Sequence, residues 1–119
     1  MSIKLSILIP AYNEAKTIHL ILDKVKNVVL PKGVITELIV VDDCSSDGTV
    51  VKVEDYRREN QDLSIEIYSQ QKNKGKGAAI HKAIELAKGD YLIVQDADLE
   101  YDPEEYNLLL KPILNGFAD

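Results

Sequence analysis

The chain is poor in cysteine, in positive charge and in long apolar runs. A single cysteine, Cys44, stands among 119 residues, which excludes an internal disulfide framework and fits a reducing compartment. Fourteen Lys and Arg face 20 Asp and Glu, for a net charge of −6. That balance argues against a nucleic-acid partner and against a polybasic patch for a membrane surface. No stretch approaches the length of a membrane span. The opening "MSIKLSILIP" carries a lysine, but its apolar run is short and meets Pro10, so no signal peptide is expected. Internal repeats, low-complexity tracts and linkers are also missing.

Several motifs are absent too. No G-x-x-x-x-G-K-[ST] loop is present, and no G-x-G-x-x-G follows the first apolar run. "DADLEYDPEE" starts like an EF-hand loop but lacks the turn glycine and the spaced terminal glutamate. An aspartate-nucleophile phosphatase would place its D-x-D after the first strand, and here the D-x-D follows the fourth.

What remains is one domain's length, Met1 to Asp119, with 45% apolar residues, enough for a core. Short apolar runs alternate with longer helical stretches. Strands are expected at Leu5 to Ile9, Glu37 to Val41, Leu63 to Ser69 and Gly89 to Val94, the first ended by Pro10. Helices are expected at about Glu14 to Val29, Thr49 to Glu59, Ala78 to Lys88 and Asp102 to Leu114, the last with Asp102 as cap before Pro103. This rhythm predicts an α/β fold in three layers, with a mainly parallel sheet between helices. Right-handed crossovers then gather the loops after the strands on one edge, where such sheets bind ligands. Those loops are "PAYNE", "DDCSSDGT", "QQKNKGKG" and "QDADLE", all polar, whereas the opposite connections are bland.

Asp96 and Asp98 lie two apart, so in an extended chain both point to one side while Ala97 faces away. Two crowded carboxylates need a positive partner. A hard dication such as Mg²⁺ or Mn²⁺, with phosphate oxygens as its other ligands, supplies it. The plain alternative is a solvated acidic turn. Glu100 is either a further ligand or surface charge. Of Asp42 and Asp43, one is expected to support its loop and the other to face the cleft, where it can accept a base N–H. The alternative is that both cap the loop and the next helix. Asp47 reads as a cap and Gly48 as a tight turn. Tyr12 either flanks a base or is a buried tyrosine with a satisfied hydroxyl. In "NKGKGAA" the backbone N–H groups, with Lys74 or Lys76, suit a phosphate, or else form a solvated lysine loop. His81 has no evident partner.

Taken together, "SILIPAYNEAKTI", "ELIVVDDCSSDGT", "NKGKGAAIHKAI" and "GDYLIVQDADLEYDPEEY" resemble the inverting family 2 glycosyltransferases with the GT-A fold. They look most like the branch of polyprenyl-phosphate (dolichol-phosphate) mannosyl- and glucosyltransferases. The resemblance implies that the Rossmann-like half of that fold binds the donor. It implies a nucleoside site at Pro10, Ala11, Tyr12, Glu14 and Asp43. The Asp96-Ala97-Asp98 segment would meet a Mg²⁺ or Mn²⁺ ion and the donor diphosphate, Lys76 would add charge, and Glu100 would be a weaker metal ligand. Implied partners are a GDP-mannose or UDP-glucose type donor and a polyprenyl phosphate acceptor, at the cytoplasmic face of a membrane. Members of the family continue past "NGFAD" into the acceptor site and any catalytic base. The resemblance therefore puts the base beyond Asp119 and no catalytic residue within the chain. An amino-terminal half that holds donor but transfers poorly alone is expected. An open outer side on the fourth strand, Tyr91 to Gln95, leads to an expectation of self-association. Two rivals are a non-catalytic nucleotide- or metal-binding module on the same fold and a response-regulator-like domain. The latter fits poorly, since no lysine follows a later strand as it requires.

Overall fold

The computed structural model describes residues 3–96. The elements run β1 (Ile3–Ala11), α1 (Ile18–Lys26), β2 (Val34–Asp42), α2 (Thr49–Glu59), β3 (Ile65–Ser69), α3 (Lys76–Leu86) and β4 (Tyr91–Val94). The helix expected from Asp102 to Leu114 lies outside the described residues, as does the chain end at Asp119.

All strand pairs are parallel, in the order β3-β2-β1-β4. Alternation along each strand sorts the side chains into two layers. Leu5, Ile7 and Ile9 of β1, with Leu38 and Val40 of β2, pack against Ile18, Ile21 and Leu22 of α1 and Val53 and Tyr56 of α2. Leu8, Ile39 and Val41 point the other way and meet Ala79 and Ala83 of α3. The two small alanines let that helix lie close to the sheet. The fold is thus α1 and α2, then the sheet, then α3, as the three-layer expectation required.

The topology locates the functional edge. From β1 the chain steps to β2 and then β3 in one direction, with α1 and α2 on one face. From β3 it jumps back past β2 and β1 to β4, with α3 on the other face. A right-handed crossover that reverses direction must change faces. The reversal opens a crevice at the carboxyl ends of β1 and β4.

Element boundaries differ from expectation in ways with physical causes. β1 does not stop at Pro10 but continues to Ala11, in register with Asp42. The Leu8 carbonyl accepts Gln95 N–H on the β4 side, whereas the Ala11 carbonyl accepts Asp43 N–H on the β2 side. Pro10 therefore faces the β4 side, beyond the last paired rung at Leu8 and Val94, where its missing N–H costs no ladder bond. Helix α1 starts at Ile18 rather than near Glu14, because the preceding residues form a turn tied to another loop. It ends at Lys26, short of Val29, which is exposed. β2 begins at Val34, three residues early, whereas β3 and β4 begin two late, at Ile65 and Tyr91. Helix α3 starts two residues early, at Lys76, and ends two early, at Leu86. Only α2 has the expected limits.

One buried polar cluster holds the opposite end of the sheet together. Ser6 and Glu37 are neighbours in register across β1 and β2. The Ser6 hydroxyl donates to Glu37 at 2.6 Å, and the Lys88 N–H donates to the same carboxylate oxygen at 2.7 Å. Gly89 N–H donates to the Ser6 hydroxyl at 2.8 Å, and the Lys4 ammonium lies 3.5 Å from the other Glu37 oxygen. Burial pushes the Glu37 carboxyl up. The Ser6 hydroxyl, Lys88 N–H and Lys4 charge outweigh it and hold the group below its ordinary value. The α3–β4 connection is thereby pinned to the sheet.

Candidate functional site

The crevice is a cleft of about 350 Å³, a volume that suits a small-molecule ligand. Pro10, Ala11, Tyr12 and Glu14 line it from the end of β1, Asp43 from the end of β2, Asn73, Gly75, Lys76 and Ala79 from the α3 entry, and Asp96 from the end of β4. Of the residues expected in the donor site, Pro10, Ala11, Tyr12, Glu14, Asp43, Lys76 and Asp96 are brought together. Ala97, Asp98 and Glu100 lie outside the described residues. So does everything up to Asp119, and the expectation of a catalytic base beyond Asp119 falls outside them as well. Asn73 was missed; its place just ahead of the glycine-rich turn was the available signal.

The "PAYNE" loop is held by the "DDCSSDGT" loop. Asn13 sits at φ +52, a left-handed conformation that asparagine tolerates. Its N–H donates to the Ser45 hydroxyl at 2.8 Å, and its side-chain oxygen accepts Ser46 N–H at 2.9 Å. Glu14 N–H donates to the Thr49 hydroxyl at 2.9 Å, and Ala15 N–H to Asp47 at 3.1 Å. Asp47 also accepts the Thr49 hydroxyl and N–H. The Thr49 hydroxyl foremost, with the Ala15 and Thr49 N–H groups, keeps the Asp47 carboxyl below the usual range despite some desolvation. Asp47 therefore links two loops; the cap position it was expected to fill is taken by Gly48. Gly48, at φ +88, makes the tight turn that starts α2. With its backbone fixed in this way, Tyr12 presents a 48% exposed side chain to the cleft. The alternative of a buried tyrosine is thereby removed.

Asp42 and Asp43 both hold loops, and Asp43 also lines the cleft. Asp42 accepts the N–H and hydroxyl of Ser45. Asp43, 3% exposed, accepts Lys74 N–H with one oxygen and Gly75 N–H with the other, both at 2.8 Å. This corrects the reading of the glycine-rich loop, because the Lys74 and Gly75 amides already serve a carboxylate and do not stand open to phosphate. Asp43 nevertheless lines the cleft, and each carboxylate oxygen keeps a second lone pair.

Lys76 and Asp96 form an ion pair across the cleft wall. Asp96 is a half-buried hard oxygen donor whose charge is matched by an ammonium, so its place suits a cation. Among the described residues no three acidic, histidine or cysteine side chains converge on a metal position. One carboxylate is nonetheless a fitting share for a Mg²⁺ or Mn²⁺ ion whose remaining ligands include phosphate.

A parallel sheet with a polar, mainly acidic cleft at its switch point defines an α/β domain of the kind that binds ligands there. Its structural neighbours are glycosyltransferases of the GT-A fold. The chain belongs to glycosyl transferase family 2, whose family model matches residues 6–119. It is 32% identical over 113 residues to the dolichol-phosphate mannosyltransferase of Pyrococcus furiosus, covering 95% of this chain and 31% of that protein. It is 36% identical over 105 residues to the Saccharomyces cerevisiae dolichol-phosphate mannosyltransferase, covering 87% and 39%. Among solved structures, the mannosyltransferase PcManGT of Pyrobaculum calidifontis in complex with GDP-Man and Mn²⁺ superposes with a TM-score of 0.82. The identity is 27%, over 92% of this chain and 32% of that one. Staphylococcus aureus TarS 1–349 with UDP gives 0.80 at 30% identity, over 94% and 32%. The chain spans about a third of the length of the curated relatives it matches.

Proposed function

We propose that this chain binds the nucleotide-sugar donor of an inverting hexosyltransferase that uses a divalent metal and delivers to an acceptor such as a polyprenyl phosphate. The observation that carries the reading is the convergence of Tyr12, Glu14, Asp43, Lys76 and Asp96 on one switch-point cleft in a family 2 chain. Tyr12 offers an aromatic face to the base, and Asp43 offers its free lone pairs to a base N–H. Lys76 brings positive charge to the diphosphate. Asp96, with Asp98 and more weakly Glu100, would hold the Mg²⁺ or Mn²⁺ ion. That ion supplies stabilisation for the negative charge on the departing nucleoside diphosphate.

In the reaction, an acceptor oxygen forms its bond to the anomeric carbon from the face opposite the leaving group. The bond between that carbon and the phosphate oxygen breaks, and its electron pair leaves with the diphosphate. A phosphate acceptor is already largely ionised near neutral pH, so it depends less on a protein base than a sugar hydroxyl does. The donor resembles either the GDP-Man or the UDP of the neighbouring structures, and dolichol phosphate in the relatives' names points to the acceptor class. No described helix is long and apolar enough to cross a membrane. We place the chain at the cytoplasmic face of one, where a lipid-linked acceptor is reached. The chain spans about a third of its relatives' length, and alone it is expected to bind donor and to transfer sugar poorly.

Calorimetry with UDP and GDP, each with and without Mn²⁺, tests the donor site. Metal-dependent binding of one nucleotide, lost in Asp98→Ala, is expected; no binding of either refutes the reading. Labelled sugar transferred efficiently to a polyprenyl phosphate by this chain would refute its weakness as a transferase. Among the described residues β4 is an edge strand with Leu92 and Val94 exposed. Pairing through Tyr91 to Gln95 should give dimers in sedimentation, and a monomer at high concentration rules that out.

A further inference from the structure

The donor-site reading leaves one contact without a role. Lys76 does not simply extend into solvent to await a phosphate, because its ammonium is paired with Asp96, the carboxylate nominated for the metal. The two ends of this pair differ in freedom. The Asp96 side chain is 14% exposed and stands at the end of a strand, whereas that of Lys76 is 58% exposed on a flexible four-carbon stem. Its backbone is anchored all the same. Lys76 is the first residue of α3, directly after Gly75, whose N–H is held by Asp43. The ammonium can therefore swing while its root stays at the cleft wall.

Resting on the donor-site reading, we propose that Lys76 is a placeholder cation for Asp96 that makes metal and nucleotide binding depend on each other. A dication and an ammonium repel when both crowd one carboxylate, so a metal ion entering alone must break the ion pair and strand the lysine. A nucleoside diphosphate entering alone finds the lysine already committed to Asp96. When both enter, the metal takes the carboxylate and the released ammonium takes a phosphate oxygen, so neither charge is left unmatched. Each ligand thus removes a cost from the other, and linkage makes that help reciprocal.

The test is a Mn²⁺ titration followed by the electron paramagnetic resonance signal of free Mn²⁺, with and without UDP and GDP. It compares the chain with Lys76→Met and Lys76→Arg. Loss of the placeholder in K76M should tighten binding of Mn²⁺ alone by up to about fivefold, the range of a partly exposed ion pair. The same variant should show a smaller gain in Mn²⁺ affinity when the nucleotide is added. K76R keeps the charge and should follow the unaltered chain. A K76M affinity for Mn²⁺ alone that is unchanged or weaker overturns the swap, as does an unaltered gain on adding nucleotide. Those results are separate from failure of the donor site itself, which would show as no binding of UDP or GDP by the unaltered chain.

Discussion

The Asp43 carboxylate accepts the Gly75 N–H at 2.8 Å, so the end of β2 and the start of α3 are one rigid unit although 32 residues separate them. The other Asp43 oxygen holds Lys74 in the same way, and the acid is almost fully buried. The residue expected to read a base therefore also builds the wall that carries Lys76.

Replacing Asp43 should consequently damage stability and binding together. Asp43→Ala leaves two amides without their acceptor and should cost about 1–3 kcal/mol. Asp43→Asn keeps one acceptor oxygen but turns an NH₂ toward the other amide, so it should fall in between. Amide hydrogen exchange at Lys74 and Gly75 should accelerate in both variants. Unchanged protection there would show that the loop is held by something else.

Glu37 predicts a pH dependence. Its folded-state carboxyl lies below the ordinary value of 4.5, because the Ser6, Lys88 and Lys4 contacts overcome the effect of burial. A depressed acid contributes stability that is complete above its unfolded value and disappears as pH falls through its folded value. The Glu37→Gln variant should therefore be less stable than the parent by about 1–3 kcal/mol near pH 7. The gap should narrow only below about pH 4.5. Urea denaturation of both proteins from pH 7 to pH 3 measures it, and a gap that does not change with pH removes the electrostatic account.

Gly89 sits against the same cluster. A Cβ there would meet the Ser6 hydroxyl first, then Ser6 N at 2.8 Å and the Lys4 carbonyl at 2.9 Å. Two of these three atoms are backbone of a central strand and cannot yield cheaply. Gly89→Ala should lower stability by about 1–3 kcal/mol, as overpacking does. Adding Ser6→Ala removes only the hydroxyl, so the double variant should not recover the parent's thermal midpoint. Full recovery would mean that the side chain alone sets the limit.

These cases show which parts of the molecule were legible in the residues. Apolar runs such as Leu5 to Ile9 announce central strands, and Asp47-Gly48 announces the start of α2, because both signals are local. The loops that gather at the cleft follow from the βαβ rhythm and the hand of its crossovers, and Tyr12, Asp43 and Asp96 line it together. The partners of Asp43, Glu37 and Asp96 were not legible. Each lies 20 or more residues away, and nothing in a local pattern says that a carboxylate will be satisfied by a distant amide, hydroxyl or lysine. Glu37 looked like the polar margin of a strand, yet β2 begins three residues earlier and buries it. Pro10 looked like a stop signal, which holds only where a strand's N–H is needed by a neighbour.

Tyr12 gives the most direct probe of the nucleotide itself. The residue is 48% exposed at the cleft, while the backbone beside it is held by Ser45 and Thr49. A ring that already stands at the cleft on a fixed loop needs no backbone rearrangement to meet a base, which lowers the ordering cost of binding. Base–aromatic stacking is worth about 1–3 kcal/mol, so Tyr12→Ala should weaken nucleotide binding by roughly five- to 150-fold. Tyr12→Phe keeps the face and should stay within about threefold of the parent unless the hydroxyl also bonds the ligand. Because the side chain is exposed in the free protein, neither change should move the thermal midpoint by more than the small amounts typical of surface positions. Fluorescence or calorimetric titration with UDP and GDP reads the affinity. A Tyr12→Ala chain that binds as tightly as its parent would place the base elsewhere in the cleft.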